Sequence, residues 1–288
     1  MENWGGSLVG TVALTQDHTF SIEQFGRYLD HLASDGVLVF NRRLNLPPAD
    51  IIRLWATAFL SLQRRGTASP KDHLAILRSW DTFTLIVSAR PLSSVDTLRE
   101  FARDRNFDPV FLPQIKLEDT NHFNRFDQPY YYHEIDRLAR AYYDSDSKIY
   151  FDAYLLDARP QSDRRPFPNR YLKWARLQEI YQTTGSRFYA FFLSGEIIVS
   201  VVLIQAILIS LFLLILPAIF CQSTGRLHFE QSGYFLAVGA GFILSEIYFI
   251  KTYTFIFGDP LISFTFVLTG LLIFSSIGGL FSQRLSTG

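Results

Sequence analysis

Cysteine is scarce in this chain of 288 residues, and neither sign of charge is in excess. Cys221 is the single cysteine, so no disulfide can form within the chain and no cysteine cluster can bind a metal. With 27 basic and 27 acidic residues the formal net charge is zero, which argues against a nucleic-acid partner bound through counterion release. The first ten residues, MENWGGSLVG, lack the basic start and the apolar stretch of a secretory signal peptide.

Charged residues are also scarce in the last third of the chain. Seven of the 54 follow residue 190: Glu196, Arg226, Glu230, Glu246, Lys251, Asp259 and Arg284. Three apolar stretches lie there, at 197–220, 233–250 and 261–281. Each is long enough to cross a bilayer core of roughly 30 Å at about 1.5 Å per residue. A buried core helix can imitate one such stretch, but three in succession predict an α-helical transmembrane region of three spans.

Basic residues crowd the approach to the first stretch. They are Arg159, Arg164, Arg165, Arg170, Lys173, Arg176 and Arg187. Because basic flanks stay on the cytoplasmic side, we predict a multi-pass integral membrane protein with a cytoplasmic soluble domain and the lipid bilayer as a partner. In a prokaryote this is the plasma or inner membrane. Trp174, Leu177 and Tyr181 share one helical face, which is typical either of a helix at the headgroup level or of packing on the soluble domain.

Small residues recur every four positions in the second stretch. They are Gly233, Ala237, Gly241 and Ser245. This spacing places them along one stripe of a helix, where another helix can approach closely. We therefore predict a helix-packing face here, directed at the neighbouring spans or at spans of another chain.

A carboxylate lies inside the same stretch. Glu246 would cost at least about 2.5 kcal/mol at the centre of a bilayer, so it should face protein or water. We interpret it as a buried polar contact between helices, with Gln205 of the first stretch as a hydrogen-bond partner. A substrate or proton site, or a position near the interface, stays open as an alternative.

The first part of the chain alternates helix and strand. A helix is predicted from Ser21 and Gln24, which have capping-box spacing, to a stop at Gly36. The segment VLVFN at 37–41 reads as a buried strand, followed by an amphipathic helix that ends at Gly66. Residues 73–89 read as a β-hairpin, 93–107 as a third helix, and 109–113 as a short extended piece. This order predicts an α/β sheet whose last strand turns antiparallel.

The chain resembles the spermidine synthase-like membrane proteins, which are related to the polyamine aminopropyltransferases. The resemblance rests on TVALTQDHTFSIEQFGRYLDHLASDGVLVFNRR at 11–43, NHFNRF at 121–126, DRRPF at 163–167 and GAGFILSEI at 239–247. It implies that residues 1–118 are the C-terminal part of a class I methyltransferase-like Rossmann sheet, ending in an antiparallel hairpin. Residues 119–190 would be an aromatic- and Arg-rich extension, and 191–288 the transmembrane helices.

The resemblance also implies a nucleoside site that these residues do not contain. A complete family member is expected to bind S-adenosylmethionine or its decarboxylated form at a Gly-rich turn after the first strand. The glycines of NWGGSLVG follow no apolar strand, so we assign them to a loop and expect no cofactor in this chain. We expect an N-terminally truncated member: a late start, a split gene, or a second chain that supplies the missing half-sheet and further spans.

Two acids are candidate catalytic residues by this resemblance. Family members have an acid just past the fourth strand, where it accepts a proton from an attacking amine. Glu2 falls near that place, although it also reads as a terminal acid without a role. Asp17 lies in the next loop and is equally well explained as a cap or turn residue.

The sequence therefore leaves two predicted functions open. The first is a membrane-anchored, S-adenosyl-nucleoside-dependent aminopropyl or methyl transferase, with this chain alone inactive. The second is a non-catalytic membrane scaffold or a transporter-like component that carries a degenerate Rossmann domain. We predict no metal site, because the histidines lack ligand spacing with a third donor.

Overall fold

A computed structural model describes residues 16–184, 195–220 and 229–285. Two compact units divide the chain, Met1–Leu211 and Phe212–Gly288. The first unit contains an α/β domain, and the described part of the second consists of apolar helices.

The first helix, α1, spans Ile22–Asp30. Ser21 is its N-cap, and the Ser21 hydroxyl accepts a hydrogen bond from the Gln24 N–H at 3.1 Å, as the capping spacing predicts. The predicted stop at Gly36 is wrong, because the helix ends six residues earlier. His31 Nδ1 lies 2.8 Å from the Arg27 carbonyl oxygen, and this hydrogen bond satisfies an acceptor at the helix end.

A four-stranded sheet forms the centre of the domain. Its strands are β1 (Val37–Arg43), β2 (Leu74–Arg78), β3 (Thr82–Ser88) and β4 (Asp108–Phe111), in the order β1-β3-β2-β4. Every adjacent pair is antiparallel. Because β1 and β2 both pair antiparallel with β3, they run parallel to each other. The predicted hairpin is confirmed as β2 and β3.

Two helices cover parts of this sheet. Helix α2 (Asp50–Arg64) lies between β1 and β2 in the chain, and α3 (Val95–Asp104) lies between β3 and β4. The buried side chains of Ile52, Trp55 and Phe59 on α2 join those of β2 and β3 in the main core. Ala102 of α3 packs in a smaller cluster with the opposite face of the sheet.

Strand β1 is an edge strand within the described residues. Alternate side chains are exposed, and Val39 retains 58% of its accessible surface. The prediction of a buried strand is therefore wrong for β1. A short run of β-branched residues does not distinguish an edge strand from a central one, since the difference depends on which neighbours the sheet provides.

The Tyr-rich segment after β4 packs onto the same core. It forms α4 (Tyr130–Tyr143), α5 (Ser147–Ala153) and α6 (Leu177–Thr184), with short 3₁₀ turns at Leu117–Asp119 and Trp174–Arg176. Tyr131 and Tyr150 are buried with the main core, and Leu177 packs partly against it. Trp174 and Tyr181 are exposed, so of the three residues on the predicted apolar face only Leu177 packs against the domain core.

Three long helices follow. They are α7 (Gly195–Phe220), α8 (Phe229–Phe257) and α9 (Pro260–Leu285). Two segments, Ala237–Phe257 and Pro260–Gly278, are long and apolar enough to cross a membrane, and Val199–Leu213 of α7 is a shorter apolar segment. Helices α8 and α9 pack near their connection, where Tyr253 and Phe266 have ring centroids 5.0 Å apart.

Candidate functional site

The carboxyl ends of β1 and β2 lie at one edge of the sheet, because the two strands are parallel. Arg43 ends β1 and Arg78 ends β2. Ligands of open α/β sheets bind outside the carboxyl ends of the strands. The residues around the end of β1 therefore form the candidate site, which comes from two distant segments, 16–23 and 157–171.

Asp17 lies at this edge, where its backbone holds the two segments together. Its N–H donates to the Pro166 carbonyl at 2.8 Å, and its own carbonyl accepts from the Gln161 amide. The Asp17 carboxylate accepts from the Thr19 N–H at 2.8 Å. This is a turn interaction of the kind that Asp commonly makes, and the side chain remains partly exposed.

A second carboxylate, Asp163, contacts two residues that follow Asp17 in the chain. Asp163 Oδ1 accepts a hydrogen bond from the Ser21 hydroxyl at 2.6 Å, and His18 Nδ1 lies 3.3 Å from the same oxygen. The side chains of His18 and Asp163 are 54% and 42% exposed. The Ser21 hydrogen bond, with a contribution from His18, holds the pKa of Asp163 below its usual range. Asp163 is therefore ionised at neutral pH.

The order of these groups limits their chemistry. The Asp163 carboxylate contacts both the Ser21 hydroxyl and the His18 imidazole. Among the described contacts the imidazole makes no hydrogen bond to that hydroxyl, as the base of a nucleophilic triad would. Ser21 also caps α1. The cluster is suited to hold a cation at its exposed carboxylate rather than to activate a nucleophile.

A partly buried ion pair joins β1 to α2. Arg42 Nε donates to Asp50 Oδ2 at 2.8 Å, and the Tyr171 hydroxyl donates to Asp50 Oδ1 at 2.9 Å. The Asp50 charge raises the pKa of Arg42, and burial raises the pKa of Tyr171. The Arg42 guanidinium also lies over the Phe20 ring at 4.7 Å. The charge of Asp50 is thus balanced by that of Arg42.

Arg53 fixes the second segment onto α2. Its guanidinium is buried and donates to four backbone carbonyls, those of Asp157, Phe167, Pro168 and Arg170. It also lies 4.2 Å from the centroid of the Tyr171 ring. Carbonyl dipoles compensate the desolvated charge, and the segment that contains DRRPF is held against the sheet edge.

Asp157 completes the inner layer. Burial alone would raise its pKa, but hydrogen bonds and charge from Arg159 and Arg165 bring that pKa below its usual value. Arg159 Nε donates to Asp157 Oδ1 at 3.0 Å, and Arg165 donates to Oδ2. The inner acids are therefore balanced by arginines, and the outer acids, Asp17 and Asp163, face solvent.

The other predicted site residues lie elsewhere or are not described. Glu2 lies outside the described residues. Glu246 on α8 is partly exposed and makes no hydrogen bond or ion pair to other described residues, and Gln205 on α7 is exposed. Their predicted contact stays a prediction.

The predicted packing stripe on α8 is exposed. Its members are Gly233, Ala237, Gly241 and Ser245. Space around Gly233 and Gly241 is open, and the Ser245 hydroxyl donates to the Gly241 carbonyl at 2.8 Å. Close approach of another helix along this stripe therefore stays a prediction for partners beyond the described residues.

The sequence did not indicate the His18–Asp163–Ser21 cluster. DRRPF was noted as a motif and Ser21 as a cap, but residues 142 positions apart carry no signal of their contact. In the described ranges, no group of three or more His, Cys, Asp or Glu side chains could hold a metal ion. Comparisons with protein-family models, curated proteins and solved structures find no match.

Proposed function

We propose that the chain is a membrane-anchored, spermidine synthase-like protein that supplies the acceptor side of an alkyl-transfer reaction. The exposed carboxylates at the carboxyl end of β1 bind a protonated amine. An aminopropyl or methyl group then comes from an S-adenosyl nucleoside. The transfer forms a new N–C bond as the sulfonium S–C bond breaks, releases the thioether nucleoside, and passes the amine proton to solvent.

The position of Asp17 and Asp163 carries the proposal. Asp17 interacts electrostatically with Arg42 near the carboxyl end of β1, where open α/β sheets bind ligands. Asp163 contacts His18 and Ser21, which follow Asp17 in the chain. Parallel β1 and β2 with antiparallel β3 between them also fit the end of a mostly parallel sheet.

We assign the nucleoside to a second chain. No Gly-rich turn follows β1 or β2 in the described part of the chain. Strand β1 is an edge strand among the described residues, and an edge strand can pair with a strand of another chain. A partner half-sheet at this edge would place its own carboxyl ends beside those of β1.

The membrane anchor is proposed to be three spans, α7, α8 and α9. Support comes from the two segments of sufficient length and from the apolar Val199–Leu213 segment within a 26-residue helix. Basic residues ahead of α7 favour a cytoplasmic position for the α/β domain.

One observation favours a second candidate, a non-catalytic membrane scaffold. Asp50 and Asp157 are neutralised by arginines, and Asp163 has a lowered pKa. The lowered pKa values leave neither Asp157 nor Asp163 poised to accept a proton near neutral pH. A scaffold would bind neither the amine nor the nucleoside.

Calorimetric titration of the full chain in uncharged detergent with spermidine separates the two candidates. The transferase proposal expects saturable binding that is about two- to fivefold weaker in Asp163→Asn, since a half-exposed ion pair contributes up to ~1 kcal/mol. Asp96→Asn is the matched control, because Asp96 is 91% exposed in an ion pair on α3. Absence of spermidine binding, or equal weakening in both variants, would refute the amine site.

A further inference from the structure

A second cleft opens at the same edge of the sheet, at the end of β2. It has a volume of about 410 Å³ and is lined by loop 117–129 and the start of α4. Asn121, Arg125, Phe126, Pro129 and His133 form most of its wall. In the described part of the chain, no acidic side chain lines this cleft.

Arg78 lies beneath the cleft with an unused donor. Its side chain is 3% exposed, and Nη2 donates to Asn121 Oδ1 at 2.9 Å and to the Asn124 carbonyl at 2.6 Å. Nη1 is buried without a hydrogen-bond partner among the described residues. A buried donor left unsatisfied is costly because it loses its hydrogen bonds to water, so an acceptor that reaches Nη1 is favoured.

A small space beside Arg78 shares part of its wall with the cleft. Arg78 lines a space of about 10 Å³, which shares Thr120, Asn121, Phe126 and Pro129 with the larger cleft. Such a volume accommodates about one water-sized group. Arg78 therefore lies next to the wall of the cleft, where it also holds Asn121.

The beginning of α4 adds a further attraction for negative charge. Pro129 is its N-cap and lines both spaces, and no side chain caps the helix. The first N–H groups of a helix lack intrahelical acceptors, and this end carries the positive part of the helix dipole.

The acids near this cleft are engaged with other groups. Asp108 is buried and pairs with Arg78 Nη2 at 3.2 Å, so it neutralises part of the Arg78 charge. It also accepts three backbone N–H groups. Other acids of the loop are bound outside the cleft: Glu118 to Lys116, Asp119 to Arg99, and Asp127 to Tyr130. Arg125 and His133 make no side-chain hydrogen bond or ion pair within the described ranges, so no partner among these residues balances the Arg125 charge at the rim.

We propose that this cleft binds the phosphate or carboxylate group of a small anionic ligand. One ligand oxygen accepts from Arg78 Nη1, and the others face Arg125, His133 and the start of α4. The inference does not depend on the amine site, because the two sites use different loops and opposite charge.

The test is calorimetric titration of the full chain in uncharged detergent with inorganic phosphate and, separately, with succinate. A third titration uses mixed micelles that contain phosphatidic acid, which distinguishes a lipid headgroup from a free anion as the source. Arg125→Ala and His133→Ala remove exposed rim groups, so both variants should fold. Arg137→Ala is the matched control, since Arg137 lies one turn further along α4 and its side chain is 61% exposed.

The proposal expects saturable binding of at least one of the three probes. That binding should weaken tenfold or more in Arg125→Ala and in His133→Ala and stay within twofold in Arg137→Ala. The proposal is overturned if the native chain binds none of the probes saturably. It is equally overturned if the two rim variants lose no more affinity than Arg137→Ala.

Discussion

The buried pair of Arg78 and Asp108 gives the sharpest prediction for stability. Both side chains are almost completely buried, and their charged atoms lie 3.2 Å apart. Asp108 also accepts the backbone N–H groups of His122, Phe123 and Asn124 at 2.5, 3.0 and 2.8 Å. Burial lowers the pKa of Arg78, and the Asp108 charge opposes this. Asp108→Ala would therefore leave a buried cation without its counter-charge.

The expected loss is about 3–5 kcal/mol, which is typical when one member of a buried ion pair is removed. That is a large part of the roughly 5–15 kcal/mol that stabilises a domain. The three N–H groups add less, because their loop lies near the surface and water can replace the carboxylate there. Removing both charges in Asp108→Asn with Arg78→Met should recover part of the loss, since no unpaired ion remains.

Urea unfolding of the full chain in uncharged detergent measures this loss. Tryptophan fluorescence is suitable because Trp55 is fully buried in the core. Glu118→Ala is the control, since its ion pair with Lys116 is about three-quarters exposed and should contribute less than about 1 kcal/mol. The reasoning fails if Asp108→Ala loses no more stability than Glu118→Ala, or if the double variant is less stable than Asp108→Ala.

Three further predictions follow from the site. Arg53→Met should reduce the free energy of unfolding by about 2–4 kcal/mol in the same urea assay, because four backbone carbonyls lose a charged donor. Asp157 has a folded pKa below its usual 3.8, so its contribution to stability is present above that value and is lost as pH falls through the folded pKa. Acid titration should therefore show a shallower loss of stability in Asp157→Asn than in the native chain. Ser21→Ala should reduce the free energy of unfolding by about 1 kcal/mol, because it removes the cap of α1. It should also weaken spermidine binding more than Asp96→Asn does, because Asp163 loses its contact with the Ser21 hydroxyl.

The elements that local chemistry determines were predictable from the sequence. The Ser21 cap, the long amphipathic helix and the hairpin each depend on residues close together in the chain. The end of α1 was misplaced because the His31 ring, rather than a glycine, satisfies the last turn. Burial of β1 was also misjudged, since Val37 and Val39 carry no local sign of what lies beside the strand.

The candidate site was only partly predictable, because its contacts join distant segments. Asp17 was identified together with its alternative role as a turn residue, and its hydrogen bond to Thr19 is consistent with that alternative. The contact of Ser21 with Asp163, and the unused donor of Arg78, depend on how the chain folds back over the sheet edge. No spacing rule reports such contacts.

The most direct test of the central claim is a pair of titrations on one sample of the full chain in uncharged detergent. Spermidine addresses the acceptor side, and S-adenosylmethionine with its decarboxylated form addresses the donor side. If this chain binds the acceptor amine and a second chain binds the nucleoside, the chain alone should bind spermidine saturably and should not bind the nucleosides. Tight nucleoside binding by the chain alone, or no spermidine binding, would contradict it.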